Sequence, residues 1–421
     1  MRAPVFGSPV KPGVFGIGWS AASLLLLTTF AREAHATTEL PLRFGARSLA
    51  MGGTGVAYVD DPSAIAINPA GLDGIESFSA MLTATPFILS STAPFSTNRE
   101  QTSETEVVPL FFVGAGARVF EPLVVGGAVY VATGFGAHYT DLPEYGGLDM
   151  DVDLAVIEAA LPISYRITSE FQVGAALRFA YAFMSTDMPV DIGSSGGPLR
   201  LEQDLTGNGF PGVLVGARFQ PLSNLSIGAS YRSKLTIDLE GDGTATQQFL
   251  GRQAVSVESK WAIPHSFRVG VGWSPLPKRL MLALDVSYTL YDEAVDVLPL
   301  TITFKDIPDS VVKQEIPFHW KDSVAGYFGA EYFASERLAA RAGYALAVSA
   351  TNEAHASPLT PPPGLIHTLH AGAGLKLHPI SVDVGAARAF GGGEVSNSTE
   401  GPPGDYGGGY WLVGGSVTYR N

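Results

Sequence analysis

The chain has 421 residues, with 26 Lys and Arg against 40 Asp and Glu and a formal net charge of −14. Polyphosphate ligands favour the opposite sign, so nucleic acid is excluded as a partner. Cysteine is absent, which excludes a disulfide scaffold, a thiol nucleophile and a thiolate metal site, while a hydrophobic fraction of 46 % is too high for disorder despite 49 glycines and 29 prolines.

Residues 1–36 read as a secretory signal peptide. Arg2 and Lys11 precede an apolar run from Val14 to Ala31, and Ala34-His35-Ala36 supplies the small residues of a cleavage site. The competing reading is an uncleaved anchor. No later stretch reaches the ~18 consecutive apolar residues of a spanning helix, so a helical membrane protein and a cytoplasmic one are both excluded. An exported, acidic, glycine-rich chain of this kind favours β-structure.

Residues 37–74 carry clustered small residues, with Gly52-Gly53, Gly55, an Asp60-Asp61-Pro62 turn, a helix-compatible stretch from Ser63 and a turn at Asn68-Pro69-Ala70-Gly71. A compact segment of this length is sized to sit inside a barrel as a plug.

From residue 75 to 421 apolar residues alternate with polar ones. Leu280, Leu282, Leu284, Val286, Tyr288 and Leu290 share one parity, as do Phe171 to Phe183 and Leu225, Ile227, Tyr231, Leu235 and Ile237. A period of two means a sheet with one apolar and one polar face. Fourteen such segments are expected, near 75–90, 105–119, 122–139, 153–167, 170–187, 209–220, 223–240, 258–273, 279–293, 319–334, 336–350, 364–377, 379–390 and 407–420. Tight turns (Phe120-Glu121, Thr168-Ser169, Pro221-Leu222, 274–278, Ser335, His378) alternate with longer loops, the longest at 294–318. Its Val295, Val297, Leu298, Leu300, Ile302 and Phe304 suit either a capture surface or a strand extension.

An even number of strands with short turns at one end and long loops at the other describes an all-β, 14-stranded antiparallel transmembrane β-barrel of the outer membrane of a Gram-negative bacterium. Trp261, Trp273, Trp320 and Trp411 all fall on the apolar parity near strand ends, as an outward aromatic girdle requires. A soluble β-sandwich is the alternative. The polar parity carries Arg178, Arg232, Lys234, Arg268 and Arg341, a basic lumen that suits a passing carboxylate or simply keeps a wet interior solvated.

With these features the chain resembles the FadL/TodX-type outer-membrane transporters of long-chain fatty acids and other hydrophobic compounds. The resemblance rests on Gly52 to Ala57, Asp60 to Ala66 and Asn68-Pro69-Ala70 ahead of the barrel. Ile263 to Gly270, Trp320-Lys321-Asp322 with Gly329 to Tyr332, and Leu338 to Tyr344 extend it. It implies an N-terminal hatch inside the lumen, with Gly52, Gly53, Gly55, Asn68, Pro69 and Ala70 setting its conformation. It further implies a monomer set among outer-membrane lipid and lipopolysaccharide. A hydrophobic ligand, a fatty acid or hydrocarbon, passes by hatch movement to a lateral gap at a kink in the third strand. That strand runs through Gly134, Phe135 and Gly136, and interior glycines permit such a bend. The loops 188–208 and 241–257, where the family often builds a capture groove, are short and polar here.

Enzyme-like patterns fail their context tests. His367 and His370 point to opposite faces of a strand, glycine spacings such as Gly114-Ala115-Gly116 lie within strands, and no nucleophile elbow is present. Asp60-Asp61 and Asp151/Asp153 read as turn and loop solvation, with a calcium loop as the alternative. Neither a metal nor a cofactor is expected, and the chain reads as a passive channel rather than an enzyme. A partner-binding barrel serving a secretion system, as shuttle or scaffold, is the rival function, and a barrel lipase a second.

Overall fold

The computed structural model describes residues 44–96, 99–190, 199–247, 249, 251–399 and 401–421. The expected signal peptide and the first residues of the expected hatch lie outside them. From Phe78 onward the chain forms a closed barrel of fourteen antiparallel strands. In order these are β1 (Phe78–Ser96), β2 (Arg99–Thr102 and Glu106–Phe120), β3 (Leu123–Leu142), β4 (Leu148–Arg166), β5 (Phe171–Val190) and β6 (Leu199–Leu222). Next come β7 (Leu225–Arg232 and Leu235–Gln247), β8 (Gly251–Ile263 and His265–Leu276), β9 (Leu280–Leu290 and Val297–Phe304) and β10 (Val311–Pro317 and Ser323–Phe333). The wall ends with β11 (Leu338–Val348), β12 (Leu365–Leu377), β13 (Ile380–Val395) and β14 (Gly404–Arg420). Each strand pairs with its sequence neighbours, and β1 closes the ring on β14 with Ser79 opposite Arg420 and Leu82 opposite Val417. Closure removes the free edge an open sheet would expose.

Several expected long loops are mostly strand. The 294–318 segment is a hairpin of Val297–Phe304 and Val311–Pro317, so its apolar residues belong to a strand extension rather than a free loop. Asp151 and Asp153 sit on β4, not in a loop.

Near the short turns the wall is oily outside. Leu177, Phe179, Tyr181 and Phe183 on β5, Phe267, Val269, Val271 and Trp273 on β8, and Leu284, Val286 and Tyr288 on β9 are all exposed. Higher up, five consecutive strands reverse their parity. The reversals fall at Phe210-Pro211 in β6, Ser233-Lys234 in β7, Pro264 in β8, 291–296 in β9 and 318–322 in β10. Above them Leu235, Ile237, Leu239, Val255, Val257, Leu300 and Ile302 point inward and are buried, while Asp238, Glu240, Glu258 and Lys260 point out and are exposed. Oil inside and charge outside is the pattern of a sheet in water, so this upper wall projects beyond the bilayer.

The reversal corrects the expected girdle. Trp273 and Trp411 face outward, but Trp261 and Trp320 are buried inside. Trp261 lies beyond the break at Pro264, and Trp320 lies in the break of β10, so parity counted from the lower wall misplaces both.

Candidate functional site

The hatch fills the lower lumen with helix α1 (Ala46–Ala50), helix α2 (Ala64–Ile67) and a 3-10 turn (Pro69–Gly74). Gly52 and Gly53 turn the chain at φ +74° and +86°, a left-handed conformation that side chains resist. Asn68 binds at both ends: Nδ2 donates to Val56 O at 2.7 Å and to Ala217 O of β6 at 3.0 Å, and Oδ1 accepts from Ala70 N at 3.2 Å. Pro69 packs on Gly174 of β5, where a Cβ would fall 2.4 Å from the Pro69 carbonyl carbon. Gly216, Gly228, Gly270, Gly329, Gly343, Gly372 and Gly385 meet the hatch in the same way, each so close that a Cβ would fall within 3 Å of a hatch atom. The wall is therefore lined with glycine where the hatch touches it.

Buried carboxylates complete the seat. Asp285 Oδ2 accepts from Gly55 N at 2.8 Å and Val56 N at 3.2 Å while pairing with Arg268 Nε at 3.2 Å. Glu331 holds Arg47 of the hatch at 2.6 Å and Arg341 of the wall at 2.7 Å. At the lower rim Asp60 pairs with Arg420 at 3.0 Å and Arg47 at 3.6 Å. Burial pushes the Asp60 carboxyl up, but the two guanidiniums outweigh it and hold the group at about 2. A depressed acid contributes stability above its unfolded pKa of about 4 and loses it as pH falls through the folded value. Protection of hatch amides from hydrogen exchange, taken relative to the intrinsic rate at each pH, is expected to hold from neutral pH down to about 4 and to fall toward pH 2. Arg420→Gln should move that loss of protection to higher pH; an identical profile in the variant would show that this pair does not anchor the hatch.

Above the hatch lies a cavity of about 1580 Å³, open mouth included. Gly53, Ala66 and Ile67 floor it, and Pro358 to Pro361 cover one side. Its walls are mostly apolar and aromatic: Phe87, Leu89, Phe135, Leu214, Trp261, Ile263, Tyr291 and Trp320. Trp320 stands edge-on to Trp261 at 6.1 Å and to Tyr291 at 5.6 Å. A smaller apolar cavity, shared through Phe135 and Leu359, lies toward the upper wall and is lined by Leu298, Leu300 and Met184.

The expected basic residues separate. Arg232 and Arg268 line the cavity; Arg178, Lys234 and Arg341 do not. Lys234 Nζ donates to Glu293 O in the break of β9. Arg178 is fully buried against Glu158 at 2.8 Å, and Arg232 and Tyr130 bind the same carboxylate. Two guanidiniums on one carboxylate leave a positive charge beside the cavity. The Nε and Nη1 donors of Arg232 have no hydrogen-bond partner among the described residues.

The third strand carries the remaining feature. β3 pairs with β2 only from Leu123 to Tyr130. Its register against β4 then shifts between Val131 and Thr133 by one extra residue. Contact with β2 resumes at the hydrogen bond from Glu104 N to His138 O, 2.8 Å. Between these points 105–111 and 131–137 form no ladder with each other, and Gly134, Phe135 and Gly136 lie on this unpaired seam and on the cavity wall. The glycines allow close approach: a Cβ at Gly134 would fall 2.6 Å from Leu154 O of β4.

A closed wall with an oily belt, a seated plug and an internal cavity defines a transport barrel of the Gram-negative outer membrane. Residues 43–420 match the family model for outer membrane transport proteins (OMPP1/FadL/TodX), and the chain belongs to that family. Its members are transport channels, not enzymes. Solved structures share the fold. The Pseudomonas putida toluene transporter TodX is 19 % identical with a TM-score of 0.73, covering 90 % of this chain and 98 % of its own. A Pseudomonas aeruginosa FadL homologue is 17 % identical with a TM-score of 0.72, covering 92 % and 100 %. The Ralstonia pickettii toluene transporter TbuX is 17 % identical with a TM-score of 0.70, covering 90 % and 99 %. A comparison with curated proteins finds no significant match.

Proposed function

We propose that this protein is a passive uptake channel for hydrophobic molecules, with long-chain fatty acids the substrate class its cavity suits best. The observation that carries the reading is a largely apolar cavity that reaches the unpaired β2–β3 seam, with a second apolar cavity toward the upper wall that shares Phe135 and Leu359 with it. Each CH₂ gains about 0.8 kcal/mol by leaving water, so an acyl chain favours this path over a wet pore and a sideways exit into lipid over release to the periplasm. The ligand enters past Leu298 and Leu300, rests among Trp261, Trp320 and Phe135, and leaves between β2 and β3 at Gly134 and Gly136. Hatch movement in this reading is a shift of the Gly53 and Ala66–Ile67 surface that floors the cavity, not expulsion of the hatch. The uncompensated charge at Arg232 favours a carboxylate head over a bare hydrocarbon.

Vesicles or cells carrying the channel test both halves with labelled oleate and labelled toluene. Gly134→Arg, which puts a long charged side chain on the seam strand, is expected to abolish uptake of both while the barrel still assembles. Arg232→Met leaves Glu158 paired with Arg178 and is expected to slow oleate roughly tenfold, the effect of one lost charge-assisted contact, with little change for toluene. Unchanged uptake in Gly134→Arg removes the lateral route; equal effects on both ligands in Arg232→Met remove the preference for an acid.

A further inference from the structure

At the upper end of the seam three strands bring three potential metal ligands together. One atom each from Glu106 of β2, His138 of β3 and Asp153 of β4 lie within 4.8 Å of one another. His138 Nε2 is 3.2 Å from Asp153 Oδ2 and 3.6 Å from Glu106 Oε1. In a tetrahedral site with bonds of about 2.0–2.1 Å, neighbouring ligand atoms sit roughly 3.3 Å apart. The two distances from His138 Nε2 are thus already close to those between ligands of one ion.

The surroundings favour a cation. His138 Nδ1 lies 2.9 Å from Asp151 Oδ1, the partner that orients a ligating imidazole through its other nitrogen. With Nδ1 donating, a neutral ring turns its Nε2 lone pair toward two carboxylates, an arrangement that either a cation between them or a proton on Nε2 satisfies. Among the described residues no lysine or arginine forms an ion pair with Glu106, Asp151 or Asp153. Gly136 makes the space: a Cβ there would fall 2.0 Å from Glu106 Oε2 and 2.8 Å from Asp153 Oδ1. Asp153 is exposed, so an ion can arrive from outside.

We propose that Glu106, His138 and Asp153 form a divalent-cation site that clips β2 to β3 and β4 across the seam. One nitrogen and two carboxylate oxygens suit zinc better than calcium, which prefers all-oxygen sites of higher coordination. Glu106 stands on one side of the seam and the other two ligands on the opposite side, so a bound ion holds the upper edge shut. Binding is independent of the transport reading; only the gating consequence rests on lateral exit.

Chelator-stripped barrel in detergent, titrated with zinc chloride by calorimetry, is expected to bind one ion per chain. Glu106→Gln and His138→Gln should each weaken binding at least about tenfold, whereas His378→Gln, in a turn at the opposite end of the wall, should not. Heat-modifiable electrophoretic mobility confirms that the variants are folded. Oleate uptake should slow with zinc in the wild type and not in Glu106→Gln. No binding by the wild type or equal affinity in Glu106→Gln overturns the site, and binding of calcium in preference to zinc overturns the zinc assignment. Zinc binding without any effect on uptake overturns the clip, and leaves lateral exit to be judged separately by Gly134→Arg.

Discussion

Gly343→Val should leave the wall able to assemble and unseat the hatch inside it. A Cβ at Gly343 of β11 would fall 2.1 Å from Gly52 N, 2.5 Å from Gly52 Cα and 2.6 Å from the Met51 carbonyl carbon. These are backbone atoms at the left-handed Gly52-Gly53 turn, so no rotamer change relieves the clash. Overpacking of this kind costs about 1–3 kcal/mol even where a core can adjust. The wall pairs through its own ladder, with Gly343 opposite Gly329 and His370, and the valine does not interrupt those bonds. The hatch yields instead. In planar bilayers the variant should conduct ions persistently where the wild type is nearly closed, and residues near Gly52 should become open to protease. Gly326→Ala on β10 is the matched control, because a Cβ there meets nothing within 4 Å. Equal conductance in Gly343→Val, Gly326→Ala and wild type would mean that the glycine lining does not seat the hatch.

The same glycines mark where sequence reading stops. Period two, the short turns and the hatch motif make the barrel and its plug legible, since each depends on neighbours a few residues apart. That Gly174 receives Pro69 or Gly343 receives Gly52 depends on register between distant segments, and a glycine inside a strand looks the same whether it bends, lightens or makes room. The carboxylates were visible in part. Glu158, Asp285 and Glu331 sit on the polar parity beside the arginines, but which cation each meets follows from cross-strand pairing. The parity reversals defeated the tryptophan assignment for a related reason. Leu225, Ile227, Leu235 and Ile237 share one parity in sequence, yet the break at Ser233-Lys234 turns the first pair to lipid and the second to the lumen. Pro211 and Pro264 were the available signals, since proline in a wall strand marks a bulge or an interrupted ladder.

Glu158→Gln should be among the most destabilising single changes in the wall. The Glu158 carboxylate is fully buried and receives Arg178 through two bonds of 2.8 and 3.0 Å, Arg232 through a third, and the Tyr130 hydroxyl at 2.9 Å. Glutamine keeps the shape and an acceptor but removes the only negative charge that, among the described residues, pairs with these two buried guanidiniums. Breaking a buried ion pair from one side costs about 3–5 kcal/mol because the remaining charge stays desolvated, and here two like charges are left together. The urea midpoint of barrel refolded into lipid should fall sharply, with the hatch less protected as β4 and β5 loosen around it. Arg232→Met is the contrast: it removes one cation, leaves Glu158 and Arg178 balanced, and should cost much less. If the two variants prove equally stable, the cluster is not held by charge. In that case the excess positive charge assigned to Arg232 also loses its physical basis, and with it the argument for an acid rather than a hydrocarbon in the cavity.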